Sequence, residues 1–270
     1  MLALSFGIFG LIIGSFLNVF ILRRGVRSLS GRSSCMACGK VIAWYDLIPV
    51  LSWLFLRGRC RHCGARISVQ YPLVEASTAA LFALLSPIGL AVFHTPLLIA
   101  LLLIVDYLAI AALLIAIAAY DFNHTIIPDG WAYSFALLAL ALQFLSPMPQ
   151  DLDILLLVAA GPIVALPLYL LWFISSGRWM GLGDAKLALG IGWLLGPWIG
   201  LVAVMASFIL GSIILVPLLL LTHIPGLSRK GVGLTMKSEV PFGPFLIASC
   251  LLFWLLGLYG VQSPLALLGM

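Results

Sequence analysis

Two aspartates, Asp121 and Asp184, stand where apolar runs meet short polar segments. An ionisable side chain in or beside a membrane helix is costly, so each counts as a functional candidate by default. Asp121 follows the run Tyr107–Tyr120 and opens Asp-Phe-Asn-His-Thr-Ile-Ile-Pro-Asp. Asp184 lies in Gly181-Leu182-Gly183-Asp184-Ala185-Lys186-Leu187, just ahead of the next apolar run. Two carboxylates close enough to share a proton divide the work of hydrolysis. The ionised one takes a proton from water, and the protonated one donates to the scissile carbonyl. Gly181 and Gly183 would let a peptide backbone approach in extended form. The pair therefore reads as an enzyme's acid–base machinery.

Each of these residues also has a plainer reading. Gly-x-Gly-Asp is a good polar entry to a helix, with Asp as N-cap favoured by the helix dipole. Asp129, between Pro128 and Gly130, is the rival to Asp121, and it reads equally as a turn and N-cap. Lys186 either tunes the pair, binds a phosphate, or snorkels to the interface. Glu75 faces the same site or caps its own helix. His124 reads as a solvated loop residue. Asp106, about 22 Å from Asp121 along an ideal helix, is expected to pair internally. Neither Gly-x-Ser-x-Gly nor His-Glu-x-x-His occurs, which weakens serine-hydrolase and zincin readings.

A second constellation is Cys35-Met-Ala-Cys38 and Cys60-Arg-His-Cys63, two Cys-x2-Cys knuckles separated by 21 residues. Each is followed by a glycine, Gly39 or Gly64, which permits the turn that aims amides at thiolates. Four thiolates complete a tetrahedral structural Zn2+ site. Two disulfides or free thiols are the alternatives, the disulfides disfavoured on a cytosolic face. The loop is too small to build much core, so metal would supply part of its folding energy. His62 reads as a solvated turn residue, and Cys250 as a small buried apolar side chain.

The elements that must position these groups are membrane helices. The chain has 270 residues, 63% hydrophobic and 9% charged, with mean hydropathy +1.21. A soluble domain carries roughly 25% charged residues, so the composition describes an all-α polytopic membrane protein. Eight spans are expected: Leu2–Leu22, Leu73–Phe93, Leu97–Ala119, Trp131–Leu145, Ile154–Ile174, Leu187–Leu195, Ile199–Leu221 and Phe242–Tyr259. A full span needs about 20 residues. The sixth falls short, so either the Gly196-Pro197 break is misplaced or a half-helix occurs there.

Three regions follow: a first transmembrane helix over 1–22, a cytoplasmic four-cysteine loop over 23–71, and a transmembrane domain over 72–270. Of 14 Lys and Arg, nine lie between Arg23 and Arg66; the others are Arg178, Lys186, Arg229, Lys230 and Lys237. With eight spans and both termini outside, all 14 fall in cytoplasmic loops. The outer loop Ser146–Asp153 then carries only Asp151 and Asp153. The net charge of +5 thus reports orientation and contact with the lipid bilayer, and no nucleic-acid partner is expected. Both aspartates come out on the cytoplasmic side: Asp121 ends the third span and Asp184 precedes the sixth.

In order along the chain come Gly14-Ser15-Phe16-Leu17-Asn18-Val19, Trp44-Tyr45-Asp46-Leu47-Ile48-Pro49, and Leu56-Arg57-Gly58-Arg59-Cys60-Arg61-His62-Cys63-Gly64. Then follow Tyr71-Pro72-Leu73-Val74-Glu75, Ile127-Pro128-Asp129, the Gly181–Leu187 segment, and Pro241-Phe242-Gly243-Pro244-Phe245. Each is weak alone, but the ordered set resembles the bacterial type 4 prepilin peptidases. These are bifunctional leader peptidase/N-methyltransferases of the inner membrane. The resemblance implies that Asp121 and Asp184 are the catalytic pair. It implies type IV prepilin or type II secretion pseudopilin precursors as substrates, cut after a Gly on the cytoplasmic side. The new N-terminus, usually Phe, would then be methylated with S-adenosylmethionine, an activity linked to the cysteine loop. No glycine-rich dinucleotide fingerprint marks the methyl-donor site.

Many relatives carry a longer glycine run before the second aspartate than Trp179-Met180-Gly181-Leu182-Gly183-Asp184. The pattern is also similar to presenilin-like intramembrane proteases, but their Pro-Ala-Leu motif is absent. A zinc-bearing secretion scaffold is the non-enzymatic alternative. It predicts that replacing either aspartate leaves function intact.

Overall fold

The computed structural model describes residues 1–24, 31–92, 95–145, 154–222 and 240–260. Phe93, the expected outer loop Ser146–Asp153, and the basic residues Arg27, Arg229, Lys230 and Lys237 lie outside the described residues. The described residues form helices and turns, with only isolated bridges of Ser34 to Val41 and Arg59 to Arg66. The chain divides into two compact units, Met1–Ala119 and Tyr120–Met270.

In the first unit, α1 (Leu2–Arg23) packs along α3 (Gln70–Leu84). The buried residues of α1, Gly10, Gly14, Leu17, Asn18 and Ile21, recur at helical spacing on one face. A Cβ on Gly14 would lie 2.7 Å from the Glu75 Cα, and one on Gly10 2.7 Å from the Ala79 Cα. Only glycine lets the two backbones approach this closely, as in membrane helix pairs generally. The opposite face of α1 leaves Leu4, Ile8, Ile12 and Phe16 exposed, a surface suited to lipid. Between α1 and α3 lie the cysteine loop, a 3-10 turn (Trp44–Leu47) and the short α2 (Leu51–Phe55).

The expected span Leu73–Phe93 is not one helix. It breaks after α3, and α4 (Ile88–Ala91) follows. Pro87 stands in the break, where its ring and missing N–H stop the ladder. α5 (Leu97–His124) crosses from the first unit into the second.

The second unit is built around α8 (Leu182–Leu195), which packs against α6 (Asp129–Leu145), α7 (Ile154–Ser175), α9 (Pro197–Thr222) and α10 (Gly243–Leu258). Asp184, Ala185, Leu187, Ala188, Gly190, Ile191, Gly192 and Leu194 bury α8 on nearly every side. A helix enclosed by protein need not match the bilayer thickness, so the 20-residue rule misled at this element. The Gly196-Pro197 break is real: Gly196 adopts φ 79°, ends α8, and Pro197 opens α9.

Among the described residues, four helices are long and apolar enough to cross a membrane: Leu2–Arg23, Leu97–His124, Ile154–Ser175 and the Pro197–Pro217 stretch of α9. Asp129–Leu145 and Gly243–Leu258 are shorter apolar helices. The protein is an all-helical membrane protein with a cluster of four cysteines.

Candidate active site and metal centre

Asp121 was expected to begin a loop, but α5 continues through it to His124. Polar side chains end a hydropathy run without ending a helix. Here the Thr125 N–H donates to the Asp121 carbonyl at 2.7 Å, and His124 stacks on Tyr120 with ring centroids 4.2 Å apart. His124 is exposed in that last helical turn. Asp184 likewise sits inside α8, in its first turn, rather than ahead of it.

Both carboxyl groups are buried, Asp121 at 4% and Asp184 at 8% exposure. The Asp121 charge acts directly on Asp184. Small residues and one isoleucine bring the two together. The Gly243 N–H donates to Asp121 Oδ2 at 3.1 Å. A Cβ on Gly243 would lie 3.3 Å from Ile127 Cδ1, and one on Gly183 would lie 2.9 Å from Ile127 Cβ. Ile127 is therefore wedged between the glycine that touches Asp121 and the glycine next to Asp184. Gly181 flanks the second acid, its Cβ direction 3.6 Å from Asp184 Oδ2.

Gly243 and Ile127 were visible in the sequence only as parts of motifs without a role. The signal for Gly243 was its place in Pro-Phe-Gly-Pro immediately before an apolar helix, where a side chain is absent at a helix entry.

Asp129 lies elsewhere in its chemistry. Its side chain is 66% exposed and accepts from Lys186 Nζ at 2.7 Å. Lys186 also lies over the Tyr133 ring, 5.5 Å from its centroid. The pair ties the start of α6 to the first turn of α8. With so exposed an acid, replacing Lys186 by Met is expected to lower stability by no more than about 1 kcal/mol. Thermal unfolding of the detergent-solubilised variant, alone and combined with Asp129→Asn, measures that coupling.

Glu75 belongs to the first unit, where Oε2 accepts the Val50 N–H at 2.7 Å. Asp106 was expected to pair internally, yet its buried Oδ2 has no hydrogen-bond partner among the described residues. Cys250 is fully buried, as its apolar surroundings implied.

The four cysteines converge. Ligand atoms of Cys35, Cys38, Cys60 and Cys63 all lie within 4.8 Å of one another, and the Cys35 and Cys63 sulfurs are 3.9 Å apart. Tetrahedral thiolate ligation at about 2.3 Å places sulfurs about 3.8 Å apart, so this donor set fits a metal ion. The two knuckles repeat one geometry. Gly39 N–H donates to the Cys35 carbonyl and Gly64 N–H to the Cys60 carbonyl, each at 2.9 Å. Both glycines adopt φ 71°, a conformation glycine takes without strain. Amide hydrogen bonds from Cys38 and Ala37 bring the Cys35 thiol down to about 6, into the range where it is a thiolate at neutral pH. Beside the cluster, Asp46 accepts a forked hydrogen bond from Arg61, the shortest arm 2.7 Å, which holds its carboxyl below the usual range.

Comparison of the sequence with known proteins points to one family. The bacterial peptidase A24 N-terminal domain matches residues 8–87, and the type IV leader peptidase family model matches residues 108–216, which include both aspartates. A prepilin leader peptidase/N-methyltransferase of Dichelobacter nodosus is 32% identical, covering 95% of this chain and 91% of that protein. The chain belongs to the type 4 prepilin peptidase family. The Bacillus subtilis prepilin leader peptidase/N-methyltransferase is also 32% identical, covering 95% of each protein. That of Myxococcus xanthus is 38% identical over 68% of this chain, and the matched region spans about half, 53%, of that relative. No solved structure matches the chain significantly.

Proposed function

We propose that this chain removes the short basic leader of type IV prepilins and type II pseudopilins at a Gly-Phe type junction, then N-methylates the new N-terminus. The observation that carries the reading is the buried pair Asp121 and Asp184, held with a backbone amide on one member. Two carboxylates in such a site hold one proton between them. One polarises the scissile carbonyl by donating it, while the other removes a proton from the attacking water. Gly181 and Gly183 leave the peptide backbone room beside Asp184. Asp129 and Lys186 act outside the proton transfers, by fixing α6 to α8.

Four long apolar helices and two shorter ones among the described residues support a multi-pass architecture. The Lys/Arg distribution supports eight spans with both termini outside and the aspartates at the cytoplasmic face of the bacterial inner membrane. The functional division is a first helix (1–22), a cytoplasmic methyltransferase-linked loop (23–71) and a peptidase domain (72–270). The four-cysteine cluster holds structural Zn2+, and S-adenosylmethionine supplies the methyl group.

Both activities are tested together by reconstituting the full chain in bilayers with a prepilin carrying a Gly-Phe junction and S-adenosylmethionine. Intact mass then reports leader loss and methyl gain. An uncut prepilin sinks the peptidase reading; a cut but never methylated product sinks the second activity. Zinc has its own test. Cys38→Ser is expected to lower bound zinc from one per chain and to open 35–66 to protease, since metal ligation supplies much of such a loop's folding energy. Full zinc content in that variant would remove Cys38 from the ligand set.

A further inference from the structure

The seam between α1 and α3 contains polar atoms that packing alone does not explain. Asn18, 1% exposed, donates through Nδ2 to the Gly14 carbonyl at 3.3 Å and the Tyr71 carbonyl at 3.1 Å. Those bonds staple the helices and account for its nitrogen. They leave Oδ1 buried without a hydrogen-bond partner among the described residues. A buried acceptor without a donor costs about 1–3 kcal/mol, so the seam is incomplete as it stands. What it lacks is an N–H or O–H.

A carboxylate stands one helical turn along the same seam. Gly14 faces Glu75 as Asn18 faces Tyr71, and Glu75 is 7% exposed. Ser15 lies within reach of the Glu75 carboxylate, and the Val50 N–H occupies Oε2. No cation is paired with Glu75 in the ion pairs of the described residues. Val50 itself sits at φ 60°, ψ −51°, a strained conformation for a β-branched residue. Tyr71 lies within electrostatic reach of both Glu75 and Cys35, which puts the seam beside the cysteine cluster.

We infer that Asn18 Oδ1 and the Glu75 carboxylate form the acceptor site for the α-amino group of the processed substrate, the group that becomes methylated. The inference rests on the methyl-transfer reading above and names the residues that serve it. A free N-terminus arrives as an ammonium with three donors and one positive charge, matching an orphan acceptor and a carboxylate with no cation beside it. Glu75 takes one proton and leaves the nitrogen lone pair free. That pair forms a bond to the sulfonium methyl carbon, and the carbon–sulfur bond breaks with its electrons remaining on sulfur. The proton charge and the methyl cation are thereby both accounted for.

Binding without any methyl donor gives the direct test. The probes are a Phe-initiated pilin peptide with a free amine and its N-acetylated twin, titrated onto the full chain in nanodiscs. The wild type is expected to prefer the free amine by about tenfold or more, the value of one charge-assisted hydrogen bond. Asn18→Ala and Glu75→Gln bring that ratio towards one, while Glu75→Asp, which keeps the charge, restores part of it. Equal wild-type affinities for the two peptides overturn the inference, as does an unchanged preference in both substituted chains.

A pH profile separates this role from mere packing. With S-adenosylmethionine and the free-amine peptide, wild-type transfer persists below the amine's ordinary pKa of about 7.7–8.0. Transfer by Glu75→Gln instead rises with the fraction of free amine. Superimposable profiles overturn the proton-accepting role. A wild type that prefers the free amine and cuts prepilin yet never methylates overturns the methyl-transfer reading itself, a result distinct from failure of the site.

Discussion

Asn in place of Asp121 or Asp184 leaves a folded chain whose cleavage of a Gly-Phe prepilin junction falls by about 10³-fold or more. General acid–base groups contribute roughly 10²–10⁴ each, and the proposed mechanism needs both in opposite protonation states. Asn keeps the shape and can still accept the Gly243 N–H through its amide oxygen, so Asp121→Asn preserves the 3.1 Å link to α10. What it cannot do is exchange a proton. Burial makes the same substitutions neutral or favourable for stability, because a desolvated carboxylate is removed. Loss of cleavage with unchanged or higher thermal stability is therefore the expected pairing.

The wild-type rate should follow a bell-shaped pH profile, because the rate needs one carboxyl ionised and one protonated. Its two limbs belong to the pair rather than to either residue. Persistent cleavage by both Asn variants would make the aspartates structural and their assignment as the catalytic pair wrong, whereas a wild type that does not cut would return the scaffold reading to the front.

Legibility in the sequence followed the range of the interaction. The cysteine centre was readable because each knuckle is local: Cys-x2-Cys and its glycine set the geometry within five residues, and the repeated pattern supplied the second half. The acids were readable because bare carboxylates at the ends of apolar runs are costly. Hydropathy measures affinity for lipid, however, and not helicity, so α5 ran on past Asp121 to His124 and α8 began before Asp184. The shortness of α8 was likewise misread until its enclosure by four helices was known. Pro87 was a readable stop inside an apolar run, overridden by the expectation of a full span. The link of Gly243 to Asp121 crosses 122 positions, and no periodicity or spacing reports a contact of that kind.

That long-range contact carries the second large prediction. Gly243→Ala adds one carbon, which would lie 2.5 Å from Asp121 Oδ2 and 3.2 Å from its Cγ. Gly243 is the first residue of α10 and its φ is not positive, so alanine suits the backbone there. The conflict is confined to the carboxylate, which must swing away or push α10 outward. Either movement breaks the N–H···O bond and displaces Asp121 from the position the proposed proton transfer needs. A misplacement of about 1 Å costs on the order of 10²-fold in rate, so kcat is expected to fall by about that factor with little change in KM.

Gly257, in the same helix, has open space where its Cβ would go, and Gly257→Ala should leave kcat unchanged. Thermal unfolding completes the cycle: Gly243→Ala destabilises the wild type but not an Asp121→Ala background, where the opposing oxygen is gone. Equal destabilisation in both backgrounds would place the conflict with Ile127 or the backbone instead. Full activity in Gly243→Ala would mean that Asp121 needs no amide partner to work. The glycine ahead of Pro244 thus matters for the room it leaves as much as for the hydrogen bond it gives.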